Sequence, residues 1–202
     1  MKSVTQSMNV GRPREFDADA ALEKAMHLFW TKGYEGTSLT DLTEAMGINR
    51  PSIYGTFGNK EELFKKALAH YVQGQGQVGR AALAMPTARE GVELLLYSAA
   101  DTLSCPKHPG CFSVVAGLAC SEEADPIREV LTDARNAGLA AWTERFIQAQ
   151  EEGELPLEPS AEDLARYLMT VATGMSVQAR SGATREQLRR TVDLALIAMP
   201  LY

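Results

Sequence analysis

"GINRPSIYGTFGNKEEL", residues 47–63, puts a proline and two further glycines between two segments with strong helical patterning. Gly47 and Gly58 can end helices, because glycine takes a positive φ at little cost. Asn49 can cap a short helix running to about Phe57. Pro51 then falls in the first turn, where the amide has no intrahelical partner and a missing N–H costs little. The proline therefore opens the short helix. At ~3.6 residues per turn, Ile53 and Phe57 share one face, which should pack on Leu42 and Met46. Pro51 and Gly55 lie on the opposite side. Arg50 and Tyr54 share one flank, and Ser52 and Thr56 the other. A face built from proline, glycine, serine and threonine is slim, and a slim face lets a helix sit deep in the major groove of DNA.

Working outward, a segment before this stretch completes a helix-turn-helix. Ser38 with Asp41 fits a capping box, and Leu39, Leu42, Ala45 and Met46 stripe a helix over 38–46. Asp17 fits an N-cap, and Ala21, Leu22, Ala25, Leu28 and Phe29 recur at helical spacing over 18–32. After Gly58, Asn59 and Glu62 start a fourth helix. It should run to at least Tyr71 and weaken at Gly74, Gly76 and Gly79. Further helices are predicted over 87–104, 111–121, 125–152, 160–180 and 184–199. No stretch alternates as a strand should. The fold class is all-α: a flexible basic arm (1–15), a three-helix helix-turn-helix DNA-binding domain (16–71), and a helical ligand-binding and dimerisation bundle (72–202).

Charge is distributed to match. The chain of 202 residues carries a net −6. Residues 1–70 hold nine Lys/Arg and nine Asp/Glu, so all of the excess acid lies beyond them. In the neutral third, bases gather at Lys2, Arg12 and Arg14 and again at Arg50 and Lys60. One face of a neutral domain can still take phosphate. Arg50 can reach a guanine edge or a phosphate, and the Tyr54 hydroxyl a phosphate. Lys60, at a helix N-terminus, adds an ammonium beside free amides. Arg12 and Arg14, just before the first helix, suit an arm that crosses the backbone into the minor groove. Apolar runs such as "LALIAM" are far short of a membrane span, and no apolar leader opens the chain. The expected location is the cytoplasm, with no membrane partner.

"GYEGTSLTDLTEAMGINRPSIYGTFGNKEELF" resembles the signature of the TetR/AcrR family of bacterial transcriptional regulators. The matching positions are Gly33, Tyr34, Thr37, Ser38, Ala45, Gly47, Ile48, Tyr54, Phe57 and Lys60. Pro51 and Gly55 depart from the family's commoner residues, and both reduce the bulk presented to bases. The candidate DNA-facing set is then Arg12, Arg14, Thr37, Ser38, Asn49, Arg50, Pro51, Ser52, Tyr54, Gly55, Thr56 and Lys60. The resemblance implies a repressor of double-stranded operator DNA, released by a small-molecule effector. It also implies a homodimer formed through the last two helices. Stripes at Leu164, Leu168, Val171 and Met175, and at Leu188, Val192, Ala195, Leu196 and Met199, permit that pairing and fit an internal core equally well.

In the bundle, the candidate walls of an effector pocket are Tyr97, Phe112, Trp142, Phe146, Tyr167 and Met175: apolar bodies, some with polar tips. Cys105, His108 and Cys111 have C-x2-H-x2-C spacing, with Cys120 nine residues on. No fourth metal ligand is evident nearby, so no metal site is expected. Lys107 and His108 could lower a thiolate pKa, which keeps Cys105 and Cys111 as redox candidates. The alternative function is thus a thiol- or metal-responsive sensor on the same scaffold. An all-helical enzyme is the third reading. Against it, the chain has no phosphate loop, nucleophile elbow or metalloprotease helix, and no enzymatic cofactor is expected.

Overall fold

The structure, a computed structural model, describes residues 16–107, 109–118 and 125–201. Nine α-helices run through them, with no strand among the described residues: α1 (Ala18–Lys32), α2 (Leu39–Met46), α3 (Arg50–Phe57), α4 (Lys60–Leu83), α5 (Ala88–Leu103), α6 (Phe112–Leu118), α7 (Asp125–Glu151), α8 (Ala161–Arg180) and α9 (Arg185–Ala198). The all-α expectation holds. Arg12, Arg14, His108 and Cys120 lie outside the described residues.

Helix starts follow the caps in the sequence. Ser38–Asp41, Asn59–Glu62, Thr87–Glu90 and Thr184–Gln187 each form a reciprocal capping box, which satisfies two amides that would otherwise lack partners. Gly47 ends α2 in the left-handed conformation at φ 73°, and the chain turns there into α3.

Two apolar clusters form the interior. In the first, Ala25, Phe29, Leu42, Met46, Ile53, Phe57, Leu63 and Phe64 join α1–α4. Phe112 and Ala116 of α6 and Ile127 and Leu131 of α7 belong to the same cluster. Rings connect the two halves. Phe64 stands 5.1 Å from Phe29 and 5.4 Å from Phe112, and Phe112 stands 5.6 Å from Tyr71. The second cluster fills the bundle with Val92, Leu96, Trp142, Phe146, Leu168, Met175, Leu188 and Val192.

Helix α4 crosses residue 71 without a break and spans both clusters. Its three mid-helix glycines lower its propensity by roughly 1 kcal/mol each. Packing of α4 on α5 and α7 offsets that. The predicted weak point is therefore continuous helix. The α9 stripe of Leu188, Val192, Ala195, Leu196 and Met199 lies in the core of its own chain. A second apolar pair, Leu194 and Ile197, faces outward at 68% and 81% exposure. Arg180, the last residue of α8, donates to the carbonyls of Trp30 and Thr31 at 3.4 and 3.1 Å, tying the bundle to the end of α1.

Candidate nucleic-acid interface and a cavity in the bundle

Helix α3 is held by its inner face and its ends. Ile53 and Phe57 are buried. The Asn49 carboxamide oxygen accepts from Ser52 N at 2.9 Å. At the other end, Lys66 Nζ of α4 donates to the carbonyls of Thr56 and Phe57 at 3.2 and 3.1 Å. A cation at a helix C-terminus complements the helix dipole, so Lys66, which sequence reasoning passed over, positions this short helix.

The outer face is open. Arg50, Pro51, Tyr54, Gly55 and Thr56 are exposed, and Ser52 is half-buried. A Cβ built on Gly55 would meet no described residue within 4 Å. Internal packing therefore does not require glycine there, and the space it leaves belongs to whatever approaches from outside. Arg50 gives one N–H to Thr40 Oγ1 at 2.9 Å and otherwise faces solvent. The Asn49 side-chain amide makes no hydrogen bond with a described residue beyond this cap. Lys60 sits with its ammonium 4.4 Å from the centre of the Tyr34 ring. Burial pushes its pKa down, and Glu35 and Asp41 draw it back up.

One DNA candidate needs correction, and a second serves as a cap. Thr37 is fully buried, and its hydroxyl donates to Gly33 O at 2.7 Å. It pins the α1–α2 turn and cannot reach a phosphate. Ser38 is exposed, but its one hydroxyl proton goes to Asp41 Oδ2 at 2.7 Å while Oγ accepts from Asp41 N. It caps α2 from an exposed position. Asp41 also receives Lys32 at 2.6 Å. That bond and those from Ser38 hold its carboxyl far below the usual range.

The bundle contains a cavity of about 410 Å³. Tyr71, Val72, Val78 and Gly79 of α4 and Leu95, Ser98, Ala99, Thr102 and Leu103 of α5 line two sides. Met169, Ala172 and Thr173 of α8, Ala134, Arg135 and Ala137 of α7, and Cys111, Ser113 and Val114 close the rest. The walls are mainly apolar, with a few hydroxyls and one guanidinium, as small-molecule sites usually are.

None of the six wall residues expected from the sequence lines it. Trp142, Phe146 and Met175 are buried space-fillers in the bundle core. Phe112 packs with Trp30, Phe64 and Tyr71 in the cluster shared with α1–α4. Tyr97 lies between α5 and α9, where its hydroxyl donates to Asp193 at 2.6 Å and Arg189 stacks on its ring. Tyr167 is exposed on the far side of α8. The physical reason is common to the buried four: large rings and long apolar chains fill space, whereas a cavity exists where small side chains meet.

Cys111 borders the cavity and Cys105 is exposed. Tyr71 donates its hydroxyl to Cys111 Sγ at 3.2 Å, and Ser113 Oγ lies 3.1 Å from the same sulfur. Burial and the adjacent sulfur push the Tyr71 pKa upward. The Cys111 amide donates to Ser176 Oγ of α8 at 2.7 Å. No group of three or more His, Cys, Asp or Glu could hold a metal among the described residues. None of the described helices is long and apolar enough to cross a membrane.

Known proteins share this arrangement. The pattern described as bacterial regulatory proteins, tetR family, matches residues 21–67. The HTH-type transcriptional repressor ComR of Escherichia coli K12 is 37% identical over 194 residues, covering 94% of this chain and 92% of ComR. BdcR, another HTH-type transcriptional repressor of the same organism, is 29% identical over 199 residues, with 96% and 95% covered. Among solved structures, a cysteine variant of the TetR-family regulator CifR, complexed with 26-base-pair operator DNA, superposes with a TM-score of 0.88. It is 42% identical, covering 94% of this chain and all of that one. With a relative this similar along nearly its whole length, and the family's pattern over its helix-turn-helix, the chain belongs to the TetR family of bacterial transcriptional regulators.

Proposed function

We propose that this chain is a repressor that binds a near-palindromic operator as a homodimer and leaves it when a small molecule fills the bundle cavity. The observation that carries the DNA reading is the bare outer face of α3. Arg50, Pro51, Tyr54, Gly55 and Thr56 are exposed together, and no described residue comes within 4 Å of a Cβ built on Gly55. In this reading α3 enters the major groove. Arg50 reads a guanine edge, and Tyr54, Ser52, Thr56 and the side-chain amide of Asn49 meet backbone or base groups. Lys60, with the amides at the start of α4, clamps a phosphate. Arg12 and Arg14 extend the contact along the backbone. The names of ComR, BdcR and the operator-bound CifR support repression and operator binding.

A dimer would use the outward faces of α8 and α9. Leu194 and Ile197 of α9 are exposed apolar side chains, and Gly174 and Val177 of α8 are exposed as well. Exposed apolar groups of this kind mark interaction surfaces. Two-fold pairing would set the recognition helices about one helical turn of DNA apart, ~34–36 Å or a small extension of that.

The test is electrophoretic mobility on the promoter beside the gene, with salt titration. Lys60→Ala should weaken binding to every sequence and lower the salt slope by about one per subunit contact. Arg50→Ala should relax sequence preference, at roughly 1–3 kcal/mol for a lost guanine contact. Equal losses on specific and random DNA would make Arg50 a phosphate contact only. No shift of any adjacent promoter fragment by the wild type would refute the DNA reading.

A further inference from the structure

We infer that the bundle cavity takes a small, largely apolar molecule carrying one negative charge, with its anionic end on Arg135. This rests on the reading of the cavity as the effector site and goes further by naming the ligand's chemistry.

Charge decides it. Among the described lining residues Arg135 is the one ionic side chain, and no carboxylate joins it. That is not what composition alone leads one to expect, since residues 71–202 carry 17 Asp/Glu against 11 Lys/Arg. The guanidinium gives one N–H to Thr132 Oγ1 at 2.9 Å and makes no ion pair with a described residue. Its remaining N–H groups are open to a carboxylate or sulfonate, which guanidinium binds through two parallel bonds. An ammonium ligand would meet a like charge with no counter-ion among the described lining residues.

Position sets the ligand's shape. Arg135 is exposed, so it stands at the rim. The interior beyond it is hydrocarbon from Leu95, Ala99, Val114, Met169 and Ala172. Such a site accepts an apolar body and keeps the charged head at the rim, where its remaining hydration is least disturbed. Ser98 and Thr173 add hydroxyls with no hydrogen-bond partner among the described residues, while those of Tyr71 and Thr102 are already engaged. The class is therefore an amphipathic monoanion, such as an aromatic or medium-chain carboxylate.

Two fluorescent probes with one skeleton test this. 8-Anilinonaphthalene-1-sulfonate and the neutral N-phenyl-1-naphthylamine differ by the sulfonate, and both brighten on leaving water. Each is titrated into the full-length protein. Wild type should bind the sulfonate about tenfold tighter than the neutral probe, a charge-assisted bond weakened by solvent at the rim. Arg135→Gln should remove that difference and leave the neutral probe unchanged, and Arg135→Lys should restore part of it. Ala172→Phe, with Ala99→Leu as a second cavity-filling variant on another helix, should weaken both probes while circular dichroism and melting stay normal. Equal wild-type affinities, or a loss of both probes in Arg135→Gln, overturns the anionic ligand; a block by either filling variant then still upholds the cavity. Titrations that neither folded filling variant alters, or no binding of either probe, overturn the cavity reading and the inference with it.

Discussion

Replacing Phe112 with alanine tests most directly where this ring belongs. It is fully buried, with ring centres 5.4 Å from Phe64, 5.6 Å from Tyr71 and 6.0 Å from Trp30. Truncating a buried phenylalanine costs roughly 3–5 kcal/mol, through lost transfer free energy and the void left behind. Aromatic pairs add about 0.5–1.5 kcal/mol beyond area. The cluster joins four helices of the DNA-binding half to α6 and α7, so the void cannot close by a local shift, and the upper part of the range applies. With a urea m-value near 3 kcal/mol/M, the unfolding midpoint should fall by about 1.3–1.7 M. Wild type and variant must be compared at one protein concentration, because the proposed dimer would make stability concentration-dependent. The neutral naphthylamine probe should still bind the folded variant, since Phe112 does not line the cavity. A midpoint change worth less than about 1 kcal/mol, or loss of the probe with stability intact, would return Phe112 to the pocket wall and refute this account.

Gly55→Leu should fold as well as wild type or better, since its space is open and leucine gains up to about 1 kcal/mol of helix propensity. Operator affinity should fall by more than about tenfold, as bulk is added where base contact is read; unchanged gel shifts would mean α3 does not enter the groove. Asp101 accepts from Arg185 at 2.7 Å and Arg189 at 2.8 Å, and these bonds lower its pKa to about 2. Because the folded pKa is depressed, the stabilisation is full above the unfolded value near 4 and is lost as pH falls toward 2. Melting curves of wild type and Asp101→Asn should therefore differ at pH 6 and converge by about pH 2; a constant gap would exclude this linkage. Ile197→Asp, at a position 81% exposed, should yield a folded monomer by sedimentation, and a persistent dimer would move the interface off α9. Ser176→Ala leaves the half-buried Cys111 amide without its acceptor and should cost about 1 kcal/mol in chemical denaturation.

Local chemistry made the helix-turn-helix readable. Helix α1 spans 18–32 as its apolar spacing and Asp17 cap predict, and α2 and α3 start at the residues after Ser38 and Asn49. Caps and turns are determined within four or five residues, so a sequence displays them. The cavity walls were not legible for the opposite reason. Ala99, Ala172, Ser98 and Thr173 border it because five helices fail to fill the space between them, and no short window of sequence records that. Thr37 was misread for a related cause: a threonine before a cap looks available until the turn folds over it. Arg135 had no sequence signal at all, sitting in α7 among many charged positions.

The placement of Phe112, Ala116, Ile127 and Leu131 bears on modular engineering. Regulators of this architecture invite hybrids, in which the reading head of one is spliced to the sensing half of another. A cut after residue 71, where the sequence changes character, would divide α4 and strip those four side chains from the faces of Phe64, Tyr71 and their neighbours. The severed head would present a bare aromatic surface to water and to other copies of itself. A workable graft must carry α6 and the first two turns of α7 along with the head, or else rebuild the matching surface on the recipient.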